Sequence, residues 1–358
     1  MSESQSSEVG PGDYQDLALY LSRAWQAGSV SYWNDRLVTW WDRNPACRET
    51  WVRGYLLRND SGIVGFIGNI PYLMQIDHRE AVVVVSTSWI IDPEYRTGSG
   101  GLDLLLKQVE FAQSTILLTD TASKNTARIM DRLRFSRLPA QSDRQSFFLA
   151  NPNDVLAARL VPKGVPRFCI SGLGLLYRVI QGVRLFKPGR PKLETQTLSL
   201  AGSEFDELWA RTRGRYATTA VRTKAQVNWY CFSSESLRKV LLGAYDSSHQ
   251  LVGYMILAPR VSYSYRILEC LDYWEDGSQL NCAASLVDYA RRLCGSHGFA
   301  ALQLNQIKGP LEDALQDSGL FWRQAGGGHV LYLCGDEDLC DPFTENCFMS
   351  EVVGDRGL

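Results

Sequence analysis

The residues best suited to chemistry lie in one run: Ser86-Thr87-Ser88-Trp89-Ile90-Ile91-Asp92-Pro93-Glu94-Tyr95-Arg96-Thr97-Gly98-Ser99-Gly100-Gly101-Leu102-Asp103-Leu104-Leu105. It reads as an apolar strand, a tight glycine-rich turn carrying one arginine, and the start of a helix. Such a turn leaves several main-chain N–H groups unpaired at the positive end of a helix, an arrangement that binds a pyrophosphate. Glycines let a phosphate approach the main chain, and Arg96 adds a charge-assisted contact. The run lacks the Gly-Lys-Ser/Thr ending of a P-loop and has no Gly-x-Gly-x-x-Gly directly after the strand. A second reading stays open, in which the glycines serve only the geometry of a strand-to-helix turn.

The spacing from Ile91 through Pro93, Tyr95, Arg96, Gly98, Gly100 and Gly101 to Leu104 and Leu105 resembles the acyl-CoA pyrophosphate loop of the GNAT (Gcn5-related N-acetyltransferase) superfamily. Aligned on Arg96 and the two leucines, the last glycine of that loop falls on Gly101 and the middle one on Ser99, a departure. The resemblance implies a pyrophosphate held by Arg96, Thr97, Gly98, Ser99, Gly100, Gly101 and Leu102. It also implies a pantetheine arm along the main chain of Trp89, Ile90 and Ile91, with acetyl-CoA or another acyl-CoA as donor. Ser123 and Asn125 occupy the region where such proteins place a polar contact to CoA; either also suits a helix cap. The acyl group then passes directly to an amine, with no covalent enzyme intermediate.

A base is needed to take a proton from the attacking amine. From Ala81 to Ile91 there is no carboxylate or histidine, only the hydroxyls of Ser86, Thr87 and Ser88. Ser88 suits ordering a water. Asp120, just after the apolar run Ile116–Thr119, is the candidate base, with a helix cap as its other reading. His78 reads as a turn residue. The family's tyrosine acid has no counterpart, since Met130 stands at its place and Arg134 replaces the glycine before Phe135. The aromatics Trp33, Trp40, Trp41, Trp51, Tyr55, Tyr72 and Trp89 suit an acceptor pocket or a core.

The elements that position these residues occur twice. Trp41/Trp229, Gly65/Gly253 and Pro71/Pro259 share an offset of 188, and Phe135/Phe321 an offset of 186. Each half reads as helices (Tyr14–Trp25 and Asp35–Trp41; Glu204–Arg213 and Thr223–Cys231) and then a β-hairpin. A third strand follows (Ala81–Ile91; Arg266–Tyr273), then a helix (Leu102–Gln113; Leu280–Leu293) and a buried strand (Ile116–Thr119; Ala300–Leu304). A second helix (Asn125–Leu133; Pro310–Leu315) and a final strand (Gln145–Leu149; His329–Leu333) complete it. Antiparallel strands followed by strand–helix–strand predict an α+β (mixed α/β) fold. With the resemblance, this becomes two tandem GNAT-like domains, each a splayed mixed sheet flanked by helices. The expected division is a disordered leader over 1–12, an acyl-CoA-binding domain over 13–150 and a linker with an amphipathic helix over 151–192. A degenerate second domain over 193–335 and an acidic, irregular tail over 336–358 follow. In the second half the loop position reads Asp272-Tyr273-Trp274-Glu275-Asp276-Gly277, with three carboxylates and no arginine. Negative charge there repels a pyrophosphate, so cofactor binding is assigned to the first half. The second half is left to shape an acceptor cleft or a homodimer surface.

Composition narrows the class. The chain has 358 residues, 45% hydrophobic and 21% charged, with a formal net charge of -2. This suits a two-domain globular protein without a nucleic-acid partner. Nine scattered cysteines without a Cys-x-x-Cys pair predict no metal site and core thiols in a cytoplasmic setting. No segment has the roughly 18 apolar residues of a membrane span. The stretch Phe168–Phe186 reads as an amphipathic helix with a basic face: a connector, or a surface for a membrane or acyl-carrier protein. The function expected is acyl-CoA-dependent N-acyl transfer, with acetyl as the expected acyl group, to a small-molecule amine. Its alternatives are a non-catalytic acyl-CoA-binding protein and an acyl-carrier-protein-dependent N-acyltransferase.

Overall fold

The computed structural model describes residues 4–138, 144–185, 193–305, 310–316, 318–324, 330–344, 346–355 and 357–358. Residues 186–192 of the expected linker and His329 lie outside them. Strand β1 (Gln5–Glu8) precedes helices α1 (Tyr14–Trp25) and α2 (Val30–Trp40). Strands β2 (Gly54–Asn59), β3 (Gly62–Ile76) and β4 (Arg79–Ile91) form a meander. It leads into α3 (Gly100–Phe111), β5 (Ile116–Thr119), α4 (Lys124–Arg132) and β6 (Ser136–Arg137). Then come β7 (Arg144–Leu149), α5 (Pro152–Leu160) and α6 (Arg167–Leu185). The second half runs through β8 (Glu194–Leu198), α7 (Ser203–Thr212), β9 (Thr218–Ala220), α8 (Lys224–Phe232), β10 (Val240–Tyr245), β11 (Leu251–Ser262) and β12 (Tyr265–Glu275). It continues with α9 (Cys282–Ser296), β13 (Ala301–Asn305), α10 (Pro310–Gln316), β14 (Phe321–Gln324), β15 (Leu331–Cys334), α11 (Glu337–Thr344) and β16 (Cys347–Phe348).

These elements build two units. The first comprises Met1–Ala140, Gly214–Leu237 and Gly328–Leu358; the second comprises Gln141–Arg213 and Arg238–Gly327. The sheet of the first has the order β1-β2-β3-β4-β5-β15-β6, with β9 pairing β3 and β16. The other sheet runs β14-β7-β13-β12-β11-β10-β8. The final strands therefore change places. β7 pairs with β13 from Leu149↔Ala301 to Gln145↔Asn305, and β15 pairs with β5 from Leu331↔Thr119 to Cys334↔Ile116. Packing accounts for this: Phe148 joins the apolar cluster of Leu268, Leu286 and Leu302, whereas Leu331 lies with Val84, Leu105, Leu117 and Phe135. Each strand also satisfies main-chain groups along an outer edge that would otherwise be open.

Three other expectations change. The leader is not wholly disordered: Gln5–Glu8 pairs antiparallel with β2, and Val9 is buried. The segment 214–237, expected in the second half, belongs to the first unit. Its Ser234 hydroxyl and Ser236 amide donate to the Asp35 carboxylate at 2.7 and 3.0 Å. Burial raises the pKa of that carboxyl, but these hydrogen bonds and Arg43 together bring it below the usual carboxylate value. The tail is no irregular appendage either. It forms α11 and β16 and buries Phe343, Val352, Val353 and Leu358 in the first unit. Its Cys340 forms a disulfide with Cys334 of β15, with Cα atoms 5.5 Å apart, whereas Cys231, Cys270, Cys282 and Cys294 are buried thiols.

The absent glycine before Phe135 has a local consequence. Helix α4 ends in a Schellman arrangement: Phe135 N donates to Met130 O at 3.1 Å and Arg134 N to Asp131 O at 3.2 Å. Arg134 holds φ at +65° there. An exposed arginine in this left-handed position costs about 1 kcal/mol relative to glycine. Arg134→Gly is therefore expected to raise the unfolding free energy by about 0.5–1 kcal/mol, read as a higher urea midpoint at unchanged m-value. A lower midpoint would contradict this reading of the cap.

Candidate active site

The site is set by where β4 loses its neighbour. β4 pairs parallel with β5 at Val84↔Leu117 and Val85↔Leu118 only, while β5 is paired on its other side by β15. From Ser86 onward no strand among the described residues pairs with that edge of β4, which is the expected splay. On the opposite edge a bulge interrupts the ladder: Ile90 faces Phe66 and Thr87 faces Gly68, leaving Ser88 and Trp89 opposite Ile67 alone. Ser88 takes φ +53° at this bulge. A bulge re-aims the groups that follow it. Gly68 makes it sterically feasible, since a Cβ there would lie 2.7 Å from Thr87 Cγ2.

A buried polar network fixes the bulged hairpin to α3. Gln108 Nε2 donates to Gly68 O at 3.0 Å and Asn69 Oδ1 at 2.7 Å, and Gln108 Oε1 accepts from Ser86 Oγ at 2.9 Å. Gln108 and Asn69 are fully buried. Gln108→Ala strands these three groups without water, and buried unpaired polar groups cost about 1–3 kcal/mol each. The expected loss is about 2–4 kcal/mol in chemical denaturation. A loss below 1 kcal/mol would show that the network does not hold α3.

At the start of α3 the turn takes the anticipated form. Asp103 N donates to Ser99 O, but the amides of Thr97, Ser99, Gly100, Gly101 and Leu102 have no main-chain acceptor among the described residues. These residues are exposed or half-buried. Arg96 braces the turn by donating Nε to Ile91 O at 2.8 Å. Trp89 Nε1 donates to Gly101 O at 3.0 Å, locking strand to helix, and Ser99 Oγ donates to Asp103 Oδ2 at 2.9 Å. The nearby Asp92 carboxylate is paired with Arg23 at 3.1 Å. Under the turn, the Tyr20 hydroxyl donates to Val64 O at 3.1 Å; burial first, then the charge of Asp92, pushes it well above the ordinary tyrosine value. The glycines divide their work. A Cβ on Gly100 would lie 2.8 Å from Leu57 Cδ2 and one on Gly101 3.2 Å from Ile91 Cγ1, so both permit close helix–sheet packing; one on Gly98 would meet Tyr95 O at an ordinary contact distance of 3.7 Å.

The hydroxyls of β4 meet a carboxylate that sequence reasoning missed. Thr87 Oγ1 donates to Asp355 Oδ2 at 2.5 Å, and Ser88 Oγ lies 3.2 Å from Thr87 Oγ1. Thr121 Oγ1 donates to Asp355 Oδ1 at 3.3 Å, and Arg36 Nη2 donates to Asp355 O at 3.1 Å. Arg36 is itself lodged among the rings of Tyr32, Trp33 and Trp40, between 5.0 and 5.7 Å from their centroids. Asp120 closes the other side: a Cβ on Gly354 would fall 2.1 Å from its carboxylate. Ser88 and Asp120 are thus brought to the same short segment, Gly354–Asp355. The only signal for Asp355 in the sequence was its acidity in a stretch read as a tail. Of the other candidates, Ser123 accepts from Thr126 N at 3.1 Å and caps α4, and Asn125 is exposed in the first turn of that helix. Met130 is buried beside Phe135, and Trp33, Trp40, Trp41, Tyr55 and Tyr72 are core residues.

The second unit repeats the splay without the opening. β12 pairs with β13 only over Ile267–Glu269, and a bulge again follows, between Ile256 and Leu257 of β11. Here Cys270, Asp272, Tyr273 and Trp274 are all buried. Two of the three expected repelling carboxylates are not in the turn at all. Asp272 accepts from Tyr254 Oη at 2.8 Å, Glu275 accepts from the Tyr273 hydroxyl, and only Asp276 starts the turn, paired with Arg211 at 3.3 Å.

The splayed, bulged sheets and flanking helices give this chain a GNAT-like fold along nearly its whole length. It is similar to Saccharomyces cerevisiae N-myristoyltransferase with bound myristoyl-CoA, at 11% identity over 98% of this chain and 90% of that one, with a TM-score of 0.58. A probable N-acyltransferase of Enterococcus faecalis aligns at 10% identity over 97% and 75% of the two chains, with a TM-score of 0.60. A GCN5-related N-acetyltransferase from Anabaena variabilis aligns at 11% identity over 93% and 73%, with a TM-score of 0.59. No protein-family model matches the chain, and no curated protein matches its sequence. No described helix is long and apolar enough to cross a membrane.

Proposed function

We propose that the protein is an acyl-CoA-dependent N-acyltransferase whose donor site lies in the first unit. One observation carries the proposal: five main-chain amides from Thr97 to Leu102, without main-chain acceptors among the described residues, sit at a helix start beside an edge of β4 that no described strand pairs. That pairing of an anion cradle with a strand edge that has no described strand partner suits a molecule with a diphosphate at one end and an amide-bearing arm at the other. The arm would run along Trp89–Ile91 and bring the thioester carbonyl toward Ser88. Solved structures of the same fold include one holding myristoyl-CoA, which supports an acyl-CoA donor.

The chemistry then needs few groups. The amine nitrogen attacks the thioester carbon, the carbon–sulfur bond breaks, and CoA leaves as a good thiolate leaving group. The amine proton passes to Asp355, directly or through a water held by Ser88 and Thr87. Proximity supplies much of the remaining rate. Asp120, packed against Gly354, holds Asp355 in place. The acceptor we infer is a small-molecule amine, and acetyl is the first acyl group to try. The test is release of free thiol from acetyl-, octanoyl- and myristoyl-CoA with a panel of amines, with the amide product identified by mass spectrometry. Amine-dependent thiol release matched by amide is expected. Tight acyl-CoA binding without turnover for any pair would leave a binding protein in place of an enzyme.

A further inference from the structure

Helix α6 has two unlike faces. Ile170, Gly174, Tyr177 and Gln181 recur at helical spacing and form the docked face. Ile170 is buried, Tyr177 stacks on Phe321 with centroids 4.7 Å apart, and Gln181 bonds both main-chain groups of Leu149 at 3.3 Å. A Cβ on Gly174 would overlap Asn153, so α5 lies hard against the helix there. The outward face carries Phe168 (79% exposed), Leu175 (65%), Leu176 (55%), Val179 (57%) and Val183 (72%). Solvent-exposed apolar side chains along one face over about 22 Å of helix, from Phe168 to Val183, mark an interaction surface.

The charge of this stretch of sequence says what covers the stripe. From Val155 to Leu193 the chain has eight arginines and lysines and no acidic residue, against a net charge of -2 for the whole chain. Arg167 and Arg178, eleven residues apart, stand along one border of the stripe and are exposed, as is Lys163 just before the helix. A core-facing helix would not keep such a face open, and a purely electrostatic partner would not need five large apolar side chains. Apolar insertion flanked by unopposed positive charge is the physical signature of a helix lying in the interface of an anionic bilayer. We propose that the outward face of α6 docks the protein peripherally on membranes rich in anionic lipid.

The test is vesicle flotation of the full chain with phosphatidylcholine alone and with 30% phosphatidylglycerol, at low and high salt. The expected result is binding at least about 30-fold stronger to the anionic vesicles and weakened by salt. Leu175→Glu/Val179→Glu and Arg167→Glu/Arg178→Glu should each reduce it by at least that factor, with an unchanged circular-dichroism spectrum and melting temperature. Four outcomes would overturn the proposal: no flotation with either vesicle; flotation untouched by both double variants; loss of a wild-type dimer, by light scattering, as the main effect of the apolar variant; or capture of the chain by an acidic acyl-carrier protein through this face with no vesicle affinity. None of these readouts depends on acyl transfer, so they stand apart from the proposed activity.

Discussion

Asp355→Asn is expected to lower kcat by about 10²–10⁴, the usual contribution of a positioned general base, while leaving KM for acyl-CoA within about twofold. The geometry makes this substitution informative. Asparagine keeps the shape of the side chain and still accepts from Thr87 Oγ1, now 2.5 Å from Asp355 Oδ2, so the Gly354–Asp355 segment keeps its place. What it removes is the capacity to take a proton beside the bulge of β4. The effect should fall on the chemical step, visible in single-turnover rates. Asp120→Asn is the control on assignment. If Asp120 were the base and Asp355 only a tether, the larger loss in kcat would move to Asp120→Asn. Thr87→Val, which cuts the link between strand and carboxylate, should lie between wild type and Asp355→Asn.

Arg96→Glu is expected to weaken acyl-CoA binding at least 100-fold, with a melting temperature that shifts by only a few degrees. The arginine adds charge to a cradle otherwise made of neutral amides, and reversing it turns attraction for a diphosphate into repulsion. Its structural duty is small, one donation from Nε to Ile91 O at 2.8 Å. Arg96→Gln separates the two roles, because it removes charge without adding repulsion and should cost about 10-fold. The loss should shrink as the ligand is cut back from acyl-CoA to acyl-pantetheine, which lacks the diphosphate. Equal losses for both ligands would place Arg96 away from the phosphates.

The strand, turn and helix start around Arg96 were legible from residue order. The run Ile91–Leu105 defined the turn because glycines, an arginine and a helix start leave only a few conformations for the chain. The Gly65/Gly253 and Pro71/Pro259 offsets fall on two hairpins of like form, β3–β4 and β11–β12. The final strands were different. Gln145–Leu149 and Leu331–Cys334 have the same alternation whichever sheet they join, and only the fit of Phe148 or Leu331 to one apolar cluster decides between them. Local pattern reports that a strand exists, not which edge it completes. Asp355 was hidden for a related reason. Its partners Thr87 and Thr121 lie more than 230 residues away in sequence, and no local spacing announces such a meeting. The carboxylates of the second half show the converse error: Asp272 and Glu275 look like surface charge until the strand turns them inward onto tyrosine hydroxyls.

The most direct test of the account is isothermal titration of the wild-type protein with a series of CoA thioesters from acetyl to palmitoyl, alongside CoA itself. The account predicts one donor molecule bound per chain, with CoA retaining a measurable share of the affinity through its diphosphate. No heat with any member of the series at millimolar ligand, or two equivalent sites per chain, would contradict it.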